Sequence, residues 1–173
     1  LIYMASGFSR RFGGNKLLAP LAGIPLYRHG FDHLQDAARR IESALSCSCR
    51  LYVVCQYDEI LSWCRAHDAI AVKNAAAGEG MAASVRLGVE ASAAADAWAF
   101  FAADQPFLSG ETIADFVMQY AQSGYGIGCA VSGSRRGSPA IFSHAYKDEL
   151  LALQGDRGGR AILAAYEDDL WQF

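Results

Sequence analysis

Between residues 7 and 16 the chain reads Gly7-Phe8-Ser9-Arg10-Arg11-Phe12-Gly13-Gly14-Asn15-Lys16, a stretch with three glycines, three cations and no acid. Glycines let a backbone approach a ligand closely and turn its N–H groups inward, and such concavities hold phosphate oxygens. Arg11 can fork onto a phosphate, and Lys16 supplies a compact point charge. The chemistry on offer is anion binding; the competing reading is a glycine-rich turn with solvated cations. Two familiar phosphate loops do not fit. GxxxxGK[ST] fails because five residues separate Gly7 from Gly13 and Leu17 follows Lys16, and GxGxxG has no match.

Asp104 is the second chemistry-bearing residue. It follows the apolar run 97–103 and precedes Gln105-Pro106. A carboxylate there suits Mg²⁺, which takes one or two carboxylates and completes its shell with phosphate oxygens and water. An Asp that caps a turn or the next helix fits the residue chemistry equally well. Asp156, beside Arg157 and Arg160, reads either as a metal or substrate contact or as a solvated helix start. Gly78-Glu79-Gly80 breaks the chain ahead of a helix whose N-terminus suits an anionic group, with Ser84 one turn in. His29 and His33, Cys47-x-Cys49 and Cys64-x-x-His67 lack a matching second ligand pair and read as ordinary helix face and packing. Trp63, Trp98 and Trp171 read as packing.

The elements that must position these residues alternate along the chain. Apolar runs at 1–5, 51–55, 69–73, 97–103 and 127–131 predict strands, with another at 137–142. Helical spacing predicts helices over 25–44 (Leu26, Leu34, Ala38, Ile41), 58–66, 81–95 (Met81, Val85, Val89), 109–120 (Ile113, Phe116, Val117, Tyr120, with Ser109 as N-cap), 144–153 and 158–166. Strands apolar throughout and interleaved with helices predict an α/β fold with a parallel sheet covered on both faces. Ligands of such sheets bind beyond the carboxyl ends of the strands, here the loops after Ala5, Val54, Lys73 and Ala103.

At 173 residues, 53% hydrophobic and 19% charged, the chain has the composition of one folded domain, and it is too apolar for disorder. A formal net charge of -3 argues against a general nucleic-acid binder. The longest apolar runs fall short of a membrane span. Five cysteines without a CxxC pair point to a reduced, cytoplasmic setting. Leu1 opens directly into the first apolar run with no charged leader, so no signal peptide is expected, and the absent start methionine suggests missing leading residues.

The stretch Met4 to Lys16 resembles the LAAGxSxRxGxxK signature of the nucleotidyltransferases that act on molybdenum cofactor. The resemblance continues through Lys16 to Leu26 (K-L-L-x-x-L-x-G-x-P-L) and Gly78 to Gly88 (GxGMxxSxxxG). It resumes at Asp104-Gln105-Pro106-Phe107, Arg136-Gly137-Ser138-Pro139 and Gly155 to Arg160. In order these span nearly the whole chain, and they are most similar to the cytidylyltransferase branch. The resemblance implies a three-layer α/β/α, Rossmann-like fold with a mostly parallel sheet, forming a single nucleotidyltransferase domain over 1–173. It implies transfer of a cytidylyl group from CTP to the terminal phosphate of molybdopterin, with Mg²⁺ (or Mn²⁺), Arg11, Lys16 and Asp104 acting in catalysis. Ala5, Ser6, Gly7, Ser9, Arg11, Gly13, Lys16, Gly80 and Ser84 would bind the nucleotide, and Ser138, Asp156 and Arg160 the acceptor side. A molybdenum hydroxylase or its maturation chaperone would be a protein partner; neither nucleic acid nor a membrane is expected.

Departures from the pattern leave alternatives open. Ser6 is neither the Ala of the cytidylyl branch nor the Gly of the guanylyl branch, which leaves GTP as the other donor. Ser138 stands where many relatives carry His or Asn. Relatives continue into a further strand and an acidic DxDTPxD-like segment where this chain ends at Phe173, which leaves open either a shorter protein or a trimmed tail. Another small phosphate acceptor, or non-catalytic cofactor binding, remain competing readings.

Overall fold

The computed structural model describes residues 1–9, 12–133 and 135–173. The chain folds in the order β1 (Ile2–Ala5), the hairpin β2 (Pro20–Leu21) and β3 (Ile24–Pro25), α1 (Leu26–Leu45), β4 (Tyr52–Cys55), α2 (Asp58–Arg65), β5 (Ile70–Lys73) and α3 (Met81–Ala91). It continues with β6 (Ala97–Ala102), α4 (Gly110–Ser123), β7 (Ile127–Ser132), β8 (Arg135–Ser143), α5 (Lys147–Leu151), α6 (Arg160–Ala165) and β9 (Leu170–Gln172). Seven strands form one sheet in the order β5-β4-β1-β6-β8-β7-β9. Among the described residues only β8 runs against its neighbours, pairing antiparallel with both β6 and β7. β1 sits between β4 and β6, with Ile2 in register with Tyr52 on one side and Phe100 on the other.

Alternate residues of the central strands feed two separate cores, because successive side chains of a strand point to opposite faces. Tyr3, Ala5, Val53, Ala99 and Phe101 join one cluster with Leu34 and Ile41 of α1, Ile60 and Leu61 of α2, and Ile113 and Phe116 of α4. Ile2, Val54, Trp98 and Phe100 join the other with Val85 and Val89 of α3, Leu150 of α5 and Ile162 of α6. The result is three layers, helices on both faces of a mostly parallel sheet, as the apolar strands predict. α1 comes close to the sheet at Gly30, where a Cβ would stand 2.5 Å from the Tyr3 hydroxyl. That hydroxyl donates to the Tyr27 carbonyl at 2.7 Å, tying α1 to β1.

The structure shifts several sequence expectations. α3 ends at Ala91 rather than near 95, because Ser92 turns to donate to Gly88 O and to accept from the Trp98 indole at 3.0 Å. Val85 and Val89 are buried as their spacing predicts, but Met81 is 49% exposed. The 144–153 stretch is a 3₁₀ turn (His144–Tyr146) followed by the short α5. Two elements escape periodicity altogether: the two-residue strands of the hairpin, and β9, whose Leu-Trp-Gln lies parallel to β7. Ser109 caps α4 as expected, accepting from the Thr112 N–H at 3.1 Å.

The residues set aside as packing have structural partners. Trp63 meets Tyr27 and Phe31 edge-on and stacks on His67. His29 Nε2 lies 2.9 Å from the Leu21 carbonyl. No helix of the described residues is long and apolar enough to cross a membrane.

Candidate active site

Because β1, β4, β5 and β6 are parallel, their carboxyl ends share one edge, and a cleft of ≈ 930 Å³ opens there. Its walls are the loop after β1 (Ser6, Gly7, Phe8, Ser9, Phe12, Lys16), the end of β6 with Asp104, the 77–81 turn with Ser84 of α3, and Gly155-Asp156. This is the edge at which open α/β sheets take their ligands.

Lys16 reaches the cleft because the loop behind it is closed by local hydrogen bonds. The Phe12 N–H bonds the Ser9 carbonyl at 2.8 Å, the Lys16 N–H bonds the Ser9 hydroxyl at 3.1 Å, and Asn15 Oδ1 accepts from the Leu17 N–H at 3.0 Å. These bonds start the 3₁₀ turn Lys16–Leu18 and project Lys16 across to the end of β6. Lys16 Nζ stands 3.3 Å from Asp104 Oδ2, with the two side chains 41% and 54% exposed. A cation and a carboxylate 88 positions apart thus meet at the cleft mouth, each with a face still open to a ligand.

Beneath them lies a buried polar network. Asn74, at the end of β5 and 1% exposed, donates through Nδ2 to the Ser6 and Ser84 hydroxyls, both at 3.1 Å, and accepts the Ala76 N–H at 3.0 Å. Ser6 in turn donates to the Val54 carbonyl at 3.1 Å. One amide side chain therefore joins the first loop, the end of β5 and the start of α3. Gln56 and Tyr57, just past β4, bond the carbonyls of Ser6 and Gly7 at 2.7 and 2.9 Å. Burial raises the Cys55 thiol to about 11 and also raises the Tyr57 hydroxyl, so both are neutral donors at physiological pH.

The far wall is joined to α3 through Gly80. Its φ of +95° favours glycine, and a Cβ there would stand 2.5 Å from Asp156 Oδ1 and 2.6 Å from the Gly155 backbone. The Ala82 N–H donates to the Gly155 carbonyl at 3.0 Å. Arg86 joins the same two segments, holding the Leu153 carbonyl at 2.7 Å and Glu79 at 2.8 Å.

Of the residues singled out in the sequence, the structure brings together Ser6, Gly7, Ser9, Lys16, Gly80, Ser84, Asp104 and Asp156 around the cleft. Ala5 is fully buried below its floor, where its carbonyl accepts the Cys55 thiol. Gly13 takes a φ of +75° in the loop and lies outside the lining. Ser138 bonds Gln105, the residue after Asp104, at 3.2 Å and lies outside the lining. Arg160 is exposed at the start of α6, also outside the lining. Arg11 lies outside the described residues. Sequence reasoning overlooked Asn74, Gln56, Tyr57 and the Arg86–Glu79 pair. For the first three the available signal was position: polar residues that directly follow apolar strands at the ligand edge.

Three carboxylates line the cleft: Asp104, Asp156 and Glu79, the last held by Arg86, and no group of three or more His, Cys, Asp or Glu converges closely enough to hold a metal ion among the described residues. Sparse oxygen donors of this kind suit a hard divalent cation that takes its other ligands from phosphate and water. A cationic loop, a few carboxylates and backbone turns at strand ends are the equipment for handling a polyphosphate by positioning and electrostatics.

Comparisons with known proteins agree with this geometry. No curated protein matches the sequence. Among solved structures, Rv0371c from Mycobacterium tuberculosis H37Rv superposes with a TM-score of 0.76 at 20% identity, covering 99% of this chain and 84% of that one. The same protein in complex with manganese gives a TM-score of 0.70 at 18% identity over the same shares. A nucleotidyl transferase from Methanothermobacter thermautotrophicus gives 0.76 at 20% identity, covering 99% and 84%. The molybdopterin-guanine dinucleotide biosynthesis protein A from Archaeoglobus fulgidus gives 0.65 at 16% identity, covering 99% and 81%. At these identities the superpositions speak to the fold. The family model of the MobA-like NTP transferase domain matches residues 1–170. The chain belongs to that family, and it is a nucleotidyltransferase.

Proposed function

We propose that this chain, acting as a single nucleotidyltransferase domain, transfers a cytidylyl group from CTP to the terminal phosphate of molybdopterin. The products are the cytosine dinucleotide form of the cofactor and pyrophosphate. The observation that carries the reading is the meeting of Lys16 and Asp104 at the mouth of a cleft walled by the glycine-rich loop. An oxygen of the acceptor phosphate attacks the α-phosphorus of CTP; the bond from that phosphorus to the bridging oxygen breaks, and the electron pair leaves with pyrophosphate. Lys16 and Arg11 stabilise negative charge on the α-phosphate and the leaving group by electrostatics. Asp104 would hold Mg²⁺, with Asp156 a further carboxylate of the same cleft. When bound, the ion neutralises triphosphate charge and favours departure of pyrophosphate.

Ser6 supports CTP over GTP. Its hydroxyl hydrogen goes to Val54 and it accepts from Asn74, so the oxygen that distinguishes it from Ala is absorbed below the cleft. Toward the ligand, Ser6 presents the bulk of an Ala, as in the cytidylyl branch, rather than the open space of a Gly. Ser84 accepts from Asn74 and keeps its own hydrogen to donate at the nucleotide side. Ser138 of β8 and Arg160 at the start of α6 are assigned to the acceptor side.

Pyrophosphate release measured with CTP or GTP, with and without Mg²⁺ and molybdopterin, tests the whole reading. Release is expected with CTP, Mg²⁺ and molybdopterin together, and Asp104→Ala should lower it at least roughly a hundredfold. Equal turnover of GTP would overturn the donor assignment, and wild-type turnover in Asp104→Ala the metal assignment.

A further inference from the structure

Gln56 and Tyr57 occupy the turn between β4 and α2, outside the cleft lining, yet both side chains reach back to the first loop. Gln56 Nε2 donates to the Ser6 carbonyl at 2.7 Å, and the Tyr57 hydroxyl donates to the Gly7 carbonyl at 2.9 Å. A third contact joins them, Gln56 Nε2 to the Tyr57 hydroxyl oxygen at 3.4 Å. The turn carrying them is itself fixed. Lys73 Nζ donates to the Gln56 carbonyl at 2.8 Å and to Asp58 at 2.7 Å, and the Tyr57 N–H donates to the Cys55 sulfur at 3.3 Å.

The consequence follows from peptide geometry. A trans peptide is planar, and its C=O and the following N–H point in opposite directions. The Ser6 carbonyl is drawn toward the β4 side, so the Gly7 N–H must face the other way. β1 has β4 on one side and β6 on the other, and β6 ends in Asp104 at the cleft. The Gly7 N–H is therefore turned toward the side where Lys16 and Asp104 meet, and it has no hydrogen-bond partner among the described residues.

We infer that Gln56 is a positioning residue that sets the Gly7 N–H of the first loop as an anion donor through the Ser6 carbonyl, with Tyr57 bracing Gln56 and the Gly7 carbonyl beside it. The inference rests on the reading of the cleft as a nucleotide site. Neither side chain touches the ligand. They remove the freedom of a glycine-containing loop to turn its donors away, so that orientation is settled before binding.

The test uses Tyr57→Phe, which removes only the hydroxyl, and Gln56→Met, which keeps the length and removes the donors. Calorimetry measures tripolyphosphate and CTP binding; steady-state kinetics gives KM and kcat for CTP; thermal unfolding monitors the fold. Each variant should weaken tripolyphosphate and CTP by roughly two- to tenfold, the scale of one hydrogen bond's net contribution. The KM for CTP should rise by a similar factor with kcat nearly unchanged, because the donor serves ground and transition states alike. The unfolding midpoint of Tyr57→Phe should stay close to the wild type. Wild-type tripolyphosphate affinity in both variants overturns the inference, as does a fall in kcat with KM unchanged. A wild-type protein that binds neither tripolyphosphate nor CTP overturns the nucleotide reading and this inference with it, and that result is read before any variant is made.

Discussion

Replacing Asn74 by Ala removes three hydrogen bonds from a site only 1% exposed. The main-chain bond from the Asn74 N–H to the Cys55 carbonyl, 2.8 Å long, remains, so the end of β5 keeps its place. Ser6 keeps its bond to Val54 and loses one donor. Ser84, 4% exposed, and the Ala76 N–H lose the partners that Asn74 gave them. A buried polar group left unsatisfied costs about 1–3 kcal/mol, and a group that keeps another partner costs less. The sum is about 2–4 kcal/mol, after allowing for water that enters at the half-buried Ala76. For a chain of this size that lowers the thermal midpoint by roughly 4–16 °C. Urea unfolding of wild type and Asn74→Ala, with the slope on denaturant unchanged, gives the figure directly. A double-mutant cycle with Ser84→Ala should show a coupling of about 1 kcal/mol, because the second substitution removes a group the first has already orphaned. A cost below about 1 kcal/mol for Asn74→Ala, or no coupling to Ser84, would refute the view that this network joins the three segments of the cleft.

The ligand-free pairing of Lys16 with Asp104 should compete with a metal ion. Lys16→Met is therefore expected to bind Mn²⁺ up to about fivefold tighter than wild type without nucleotide, the scale of a half-exposed ion pair, while binding CTP more weakly. Mn²⁺ titration followed by electron paramagnetic resonance checks this, and an unchanged Mn²⁺ affinity would disprove it. Burial lifts Cys55 to about 11 from an ordinary value of 9.0. The neutral thiol is favoured in the folded state, so this contribution is complete below about pH 9 and is lost as pH rises toward 11. The unfolding free energy from urea titrations of wild type should fall over that window by up to about 2–3 kcal/mol more than that of Cys55→Ala; parallel curves would argue against it.

The extent to which this protein is legible from its sequence differs by element. Leu26, Leu34, Ala38 and Ile41 mark the buried side of α1 because helical spacing is a local property, and all four are buried. The all-apolar runs around Tyr3, Val53 and Phe100 mark strands buried on both faces for the same reason. β9 and the 20–25 hairpin carry no such signal. A three-residue strand exists because β7 offers it a ladder, and two-residue strands exist because the turn between them closes.

The sequence by itself determined the glycine-rich, purely cationic make-up of the Gly7-to-Lys16 loop, the carboxylate after the β6 run, and the alternation that makes a covered, mostly parallel sheet. These are properties of residue type and spacing, which are fixed before the chain folds. Only the tertiary structure decided which of those residues meet. It set Lys16 beside Asp104, placed Asp156 against Gly80, left Ser138 and Arg160 outside the cleft lining, and made Asn74, Gln56 and Tyr57 the supports of the first loop. The physical reason is strand order. β1 lies between β4 and β6, so loops about 50 and 100 residues apart in sequence converge on one edge, and no local pattern encodes which neighbours a strand will take.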